Sequence, residues 1–202
     1  MIYETAFVLK PSSTEDVATK VTGLVTAAVT EAGGEVLITE DWGLRNFAQA
    51  TSKGETKGKF YYVMYSSDGK SNLEIERRMK LSEETLKWIV VKLGDDKNKD
   101  NIVKNHKNPN NEVVEKDAGK AEKDKRNSAK SRSCYFSATK SRPDWKDPMS
   151  YKWLVNEFGK INPGRVTGLR PRYQKLATTV IKQARTMGFI SHLSNRVSER
   201  VQ

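Results

Sequence analysis

The chain has 202 residues, 36 Lys+Arg against 25 Asp+Glu, a formal net charge of +11 and 36 % hydrophobic residues. That apolar share is low for one large globule, and no apolar run has the length of a membrane span, so no membrane partner is expected. The charge is segregated: residues 1–93 carry a net −1, residues 94–131 a net +2 and residues 132–202 a net +10, which predicts a near-neutral module tied to one that seeks a polyanion.

Residues 2–9 (IYETAFVL) read as a strand, rich in β-branched and aromatic side chains. Pro11-Ser12-Ser13 breaks it, and Ser12-x-x-Glu15 has the pattern of a capping box. Val17, Val21, Leu24, Val25 and Ala28 then recur at helical spacing until Gly33-Gly34. Residues 35–50 return to strand, with Gly43 marking a bulge or bend. A polar turn leads to the strand FYYVMY at 60–65, a weaker helix over 71–80 and a last strand over 85–93. The order β-α-β-β-α-β is the ferredoxin-like split unit, which covers one sheet face with both helices and leaves the other for a partner.

Residues 94–131 are packed with Lys, Asp, Asn and Glu and show no apolar period. Such a segment cannot bury enough apolar surface to offset its ordering entropy, so it reads as a charged linker. From residue 133 the aromatics return. Residues 149–158 suit a short helix, and Asp144 and Asp147 would cap and orient it. Residues 171–187 form the clearest helix, with Pro171 in its first turn and an apolar stripe of Tyr173, Leu176, Ala177, Val180, Ile181 and Ala184. The fold class is thus α+β: a ferredoxin-like domain over 1–93, a linker over 94–131, and a small, mostly helical domain over 132–202.

Arg165, Arg170, Arg172, Lys175, Lys182 and Arg185 lie within 21 residues of one turn and helix. Cations dominate affinity for nucleic acid because they replace condensed counterions on phosphate, and A-form RNA is met mostly through phosphate and 2′-OH. In the first module, Lys57-Gly58 followed by 60–65 is similar to an RNA-recognition strand motif, but its spacing is shifted and the module is not basic. Its aromatics are expected to alternate between the helix-covered core and a protein-facing sheet surface. Arg45, Lys53 and Lys59 are the candidate peripheral phosphate contacts there.

No nucleophile motif or phosphate-binding Gly-rich loop is present, so no enzyme activity and no cofactor are expected. Cys134 is the single cysteine; no internal disulfide forms and a reducing compartment is the default. Met1-Ile2-Tyr3-Glu4 carries an acid at once, unlike a signal peptide.

Residues 1–93 resemble bacterial small-subunit ribosomal protein six, on the opening Tyr3-Glu4 strand, Glu31-Ala32-Gly33-Gly34 and Glu40-Asp41-Trp42-Gly43-Leu44-Arg45. They depart from it at Ala48-Gln49-Ala50-Thr51. The C-terminal part resembles ribosomal protein eighteen of the same subunit, on Trp145-Lys146-Asp147, Gly159-Lys160-Ile161, Arg165-Val166-Thr167-Gly168, Tyr173-Gln174-Lys175-Leu176-Ala177 and Ile181-Lys182-Gln183-Ala184-Arg185.

The resemblance implies a fusion of two proteins that pair as a heterodimer on the platform, the central domain, of small-subunit rRNA. It implies as partners that rRNA and neighbouring platform proteins, and as location the ribosome of the cytoplasm or of an organelle. Some relatives of the second part carry Cys-x-x-Cys as half of a zinc site; here Ser137 follows Cys134, and one thiolate cannot build a four-ligand site, so no metal is expected.

The resemblance adds Lys160, and adds Lys130 and Arg132 at the end of a basic stretch, 120–132, that matches the extended N-terminus of the second partner. That stretch is expected to order on RNA while 94–118 stays mobile, and the two modules are expected to dock within the chain, with the edge of the second strand as a plausible seat. The linker would hold them at an effective concentration on the order of mM. The rival reading is a free-standing RNA-binding regulator acting off the ribosome; an enzyme on the first module would need a titratable pocket the sequence does not show.

Overall fold

All eight residues of β1 (Ile2–Leu9) are buried, as a strand must be when it is paired on both edges and covered on both faces. The computed structural model describes residues 1–52, 54–110 and 134–193. β1 pairs antiparallel with β3 (Lys57–Ser66) and β4 (Thr85–Gly94), and β2 (Glu35–Asn46) pairs antiparallel with β3, giving the order β2-β3-β1-β4. With α1 (Glu15–Glu31) after β1 and α2 (Lys70–Leu81) after β3, the ferredoxin-like fold read from the sequence is present.

Alternation sorts the strand residues. Tyr3, Phe7 and Leu9 of β1 and Val63 and Tyr65 of β3 face the helices, where they pack with Ala18, Val21, Val25, Ala28, Val29, Ile75 and Met79. Tyr65 donates to Asn72 Oδ1 at 2.8 Å, and burial pushes its phenol up to about 12, so it remains a donor at neutral pH. Arg78 joins the helices: it donates to Glu31 of α1 and, with Arg77, to Glu74 of α2. The two guanidiniums hold the Glu74 carboxyl at about 2, from an ordinary 4.5. The folded state thus favours the charged form; the contribution is complete above about pH 4.5 and is lost as pH falls through about 2. In acid titrations of stability, Glu74→Gln should lie below the wild type at pH 5 and converge with it near pH 2.

The capping box does not form. α1 starts at Glu15 behind Thr14, with no side-chain cap bond. Ser13 Oγ instead donates to Glu84 Oε2 at 2.8 Å, and Lys10 Nζ reaches Glu84 Oε1 at 3.1 Å. Glu84 thereby ties the loop before α1 to the start of β4, and Glu15 and Asp16 in the first turn favour the helix dipole without a side-chain cap.

The structure also moves the end of this unit, which runs to His106 rather than ending at residue 93. After β4 the chain makes a 3₁₀ turn (Asp96–Asn98) and a helix, α3 (Lys99–Lys104). Asp96 takes the Met1 ammonium at 2.6 Å and the Ser66 hydroxyl at 2.8 Å, and Lys99 pairs with Glu35 at 2.5 Å. His106 stacks on Tyr62 at 4.7 Å, and Trp42 stacks on the same ring at 5.0 Å. Glu40 Oε2 lies 2.7 Å from Trp42 Nε1 and 3.0 Å from His106 Nε2, and Tyr62 donates to the buried Glu4 at 2.8 Å.

The helix-free face of the sheet is therefore covered around Tyr62, not open. Ion pairs and one stacked imidazole order this charged segment without the apolar period that the linker reading required. Of the stretch expected to be mobile, 94–106 is ordered in this way, and 111–118 lies outside the described residues.

The second unit is built on a different principle. α4 (Tyr135–Ala138), two 3₁₀ turns (Pro148–Ser150 and Lys152–Leu154) and α5 (Gly164–Thr167) surround α6 (Pro171–Met187). The single helix expected over 149–158 is split. Tyr151 is fully buried, donates to the Trp145 carbonyl at 3.1 Å and sits at φ −134°, which interrupts the turn. Asp147 does cap as expected, accepting from Met149 N at 3.1 Å. Ala177, Ile181, Ala184 and Met187 of α6 are buried with Phe136, Trp145 and Leu154, and Phe136 stacks on Tyr173 at 5.8 Å.

Candidate nucleic-acid interface

From residue 158 to residue 193 the chain carries seven Lys and Arg and no Asp or Glu. The helix α6 gives this run its geometry. Its buried stripe fixes its rotation, so Arg172, Lys175, Thr179 and Lys182, spaced by three, four and three residues, share the opposite, exposed face. Arg165, Arg170 and Lys160 are also exposed. Among the described residues none of these six cations is paired with a carboxylate; Lys146, with Asp144 at 3.7 Å, belongs to the unit's ion pairs instead. Unneutralised like charge on one face raises the free energy of the isolated domain, and a polyanion removes that cost.

The turn before α6 is held from within. Gln174 Nε2 donates to the Asn162 carbonyl at 2.9 Å and its Oε1 accepts from Thr167 at 3.2 Å. Gly168, at φ 70°, ends α5, and Arg170 N lies 3.5 Å from the buried Cys134 sulfur as its donor. Arg165 and Arg170 therefore flank a turn that cannot easily reshape. Cys134 serves packing here, and among the described residues no group of His, Cys, Asp and Glu is placed to hold a metal.

Arg185 does not join the exposed face. Its guanidinium donates to the Gly159 carbonyl, while its Nε is buried with no partner among the described residues. It positions the turn over 156–160. Arg45 is half-buried with its Nε 3.4 Å from the Trp42 carbonyl, and burial lowers its pKa. Lys59 donates to the Ser13 carbonyl at 2.7 Å. Both point into their own unit more than sequence alone indicated. Lys53, Lys130 and Arg132 lie outside the described residues.

Comparison with known proteins finds two segments, one inside each unit. A family model described as ribosomal protein S6 matches residues 2–92, and one described as ribosomal protein S18 matches residues 139–190. The small ribosomal subunit protein bS6 of Trichlorobacter lovleyi is 34 % identical over 97 residues, which are 48 % of this chain and 79 % of that protein. The bS6 of a Sulfurovum species is 33 % identical over 90 residues, 45 % of this chain and 70 % of that protein. The chain belongs to the ribosomal protein S6 family. It is a fusion: an S18 segment follows in the same polypeptide. The crystal structure of ribosomal protein S6 from Thermotoga maritima is 23 % identical, covering 51 % of this chain and 96 % of that one, with a TM-score of 0.45.

The S6-like unit adds a feature the sequence reading missed, the carboxylates of Glu4 and Glu40 set around Tyr62. A Glu alternating with apolar residues inside a central strand was the available signal. In the S18-like unit Gln174 was visible only as part of a motif. An uncharged polar residue beside the buried stripe marks a side chain that bonds inward. Arg185 carried a similar sign, since it directly follows Ala184 and sits four residues after Ile181, at the border of the same stripe.

Proposed function

We propose that this chain is a structural constituent of the small ribosomal subunit that binds the platform of its rRNA and carries both members of the S6–S18 pair in one polypeptide. The observation that supports it most is the acid-free run over 158–193, whose exposed cations stand on one helix and its preceding turn without carboxylate partners among the described residues. A rigid basic surface of this kind suits the phosphates of a folded RNA. Chemistry on the chain is not part of this role; the work is binding and ordering of rRNA beside other platform proteins, in the cytoplasm or an organelle that holds such ribosomes.

The two units dock within the chain on this reading. The stretch 120–132 brings Lys and Arg, and the free edge of β2 is the seat for strand addition.

Sedimentation of cell extract through a sucrose gradient, probed with antibodies to each end of the chain, tests the proposal. Both ends should migrate at full length in the small-subunit peak and survive a moderate salt wash. Both ends at the top of the gradient would overturn the reading in favour of a regulator acting off the ribosome.

A further inference from the structure

The chain has six Phe, seven Tyr and four Trp, and all but one of them are buried or half-buried; the exception is Phe158, 65 % exposed. It sits at the apex of a tight turn that closes on the bridge between Val155 and Ile161. Asn156 organises that turn completely. Its N–H donates to the Lys160 carbonyl at 2.8 Å, its carbonyl accepts from Gly159 N at 3.0 Å, and its side-chain Oδ1 accepts from Phe158 N at 3.0 Å and Lys160 N at 2.8 Å.

Gly159, at φ 75°, is clamped from behind. Arg185 donates to its carbonyl, and a Cβ placed on it would stand 3.0 Å from the His192 carbonyl oxygen and 3.1 Å from the Leu193 carbonyl carbon. The ring is thus displayed on a support with little freedom to fold it away, at the start of the acid-free run and two residues before the exposed Lys160.

We propose that Phe158 is a base-stacking residue, taking the face of an unpaired base of the rRNA, with Lys160 beside it on phosphate. This rests on the RNA-binding reading above and sharpens it to one contact and one nucleic-acid feature: a base out of its helix, in a bulge, loop or junction. An aromatic ring offers a base a flat partner without regard to its sequence, and the surrounding cations carry the backbone. Rigidity matters because a preorganised ring loses little freedom on binding. An isolated exposed side chain is ordinary on a protein surface; a ring at the apex of a turn held by four hydrogen bonds of one asparagine, between Glu157 and the exposed Lys160, is not accounted for by that alone.

The full chain is titrated with a transcript of the central domain of small-subunit rRNA at several salt concentrations, as wild type, Phe158→Leu, Phe158→Ala and Phe158→Tyr. Stacking predicts that Leu and Ala each weaken binding about tenfold, within the range known for one base–aromatic stack, while Tyr binds like wild type. The slope of affinity against salt should be the same in all four, because no cation is removed. Leu binding as wild type does, whether or not Ala is weakened, overturns the stacking proposal, since it keeps apolar bulk without a π-face; RNA binding itself would then stand. Absence of salt-dependent binding by the wild type overturns both.

Discussion

Replacing Lys175 and Lys182 together by Glu is expected to weaken binding of the full chain to the central-domain rRNA by about 100-fold or more at moderate salt. The two side chains share the exposed face of α6 with Arg172 and Thr179, and neither has a carboxylate partner among the described residues. Each substitution removes a counterion-releasing contact and adds repulsion. The slope of log affinity against log salt should become shallower by about two, one for each lost cation. Thermal stability should hold or rise slightly, because neither side chain is buried and the like-charge cost of the face falls. A loss of affinity at unchanged slope would mean that the helix contacts something other than phosphate.

Gly34→Ala is expected to be among the most damaging single-methyl changes in the S6-like unit, and Gly33→Ala a milder one. The two neighbours are glycines for different reasons. Gly33 has φ 71°, with nothing within 4 Å of a Cβ built on it. Its substitution costs the left-handed strain alone, about 1–2 kcal/mol. At Gly34 a Cβ would fall 2.5 Å from the Ser66 carbonyl oxygen and 2.8 Å from Val29 Cγ1. Backbone on one side and a core side chain on the other cannot both retreat, so α1 and β3 must part, at a cost of about 3 kcal/mol or more. That is a large fraction of the stability of a small domain. Urea unfolding of the two variants, followed through the transition of the S6-like unit, separates the two costs; equal shifts would contradict the assignment.

These cases show where the sequence was legible. Alternation within FYYVMY and the 3.6-residue period of α6 made both elements legible, but the second face of that strand is buried rather than partner-facing, and Leu176, read into the α6 stripe, is exposed. The exposed face of α6 followed by subtraction. What could not be read was decided by pairings distant in the chain. Glu84 holds Ser13 across a separation of 71 residues, and His106 finds Glu40 and Tyr62 across 66 and 44. Residues 94–106 look like linker because their order comes from charge pairs and one imidazole, which leave no periodic trace. Arg185 looked like its neighbours Lys182 and Arg172 because composition does not say whether a guanidinium meets solvent or a carbonyl.

The outer strand β2 has a history before any partner arrives. Its pairing with β3 slips twice, between Val36 and Ile38 and between Asp41 and Gly43. Such bulges twist a strand and break the even row of donors and acceptors along its free side. The unit that contains β2 leaves the exit tunnel before the S18-matched segment and can fold while that segment is made. On a message read by several ribosomes, copies of that edge wait close together. A flat edge would let them zip into one another; a kinked one offers only a few residues in register, too few for copies to hold.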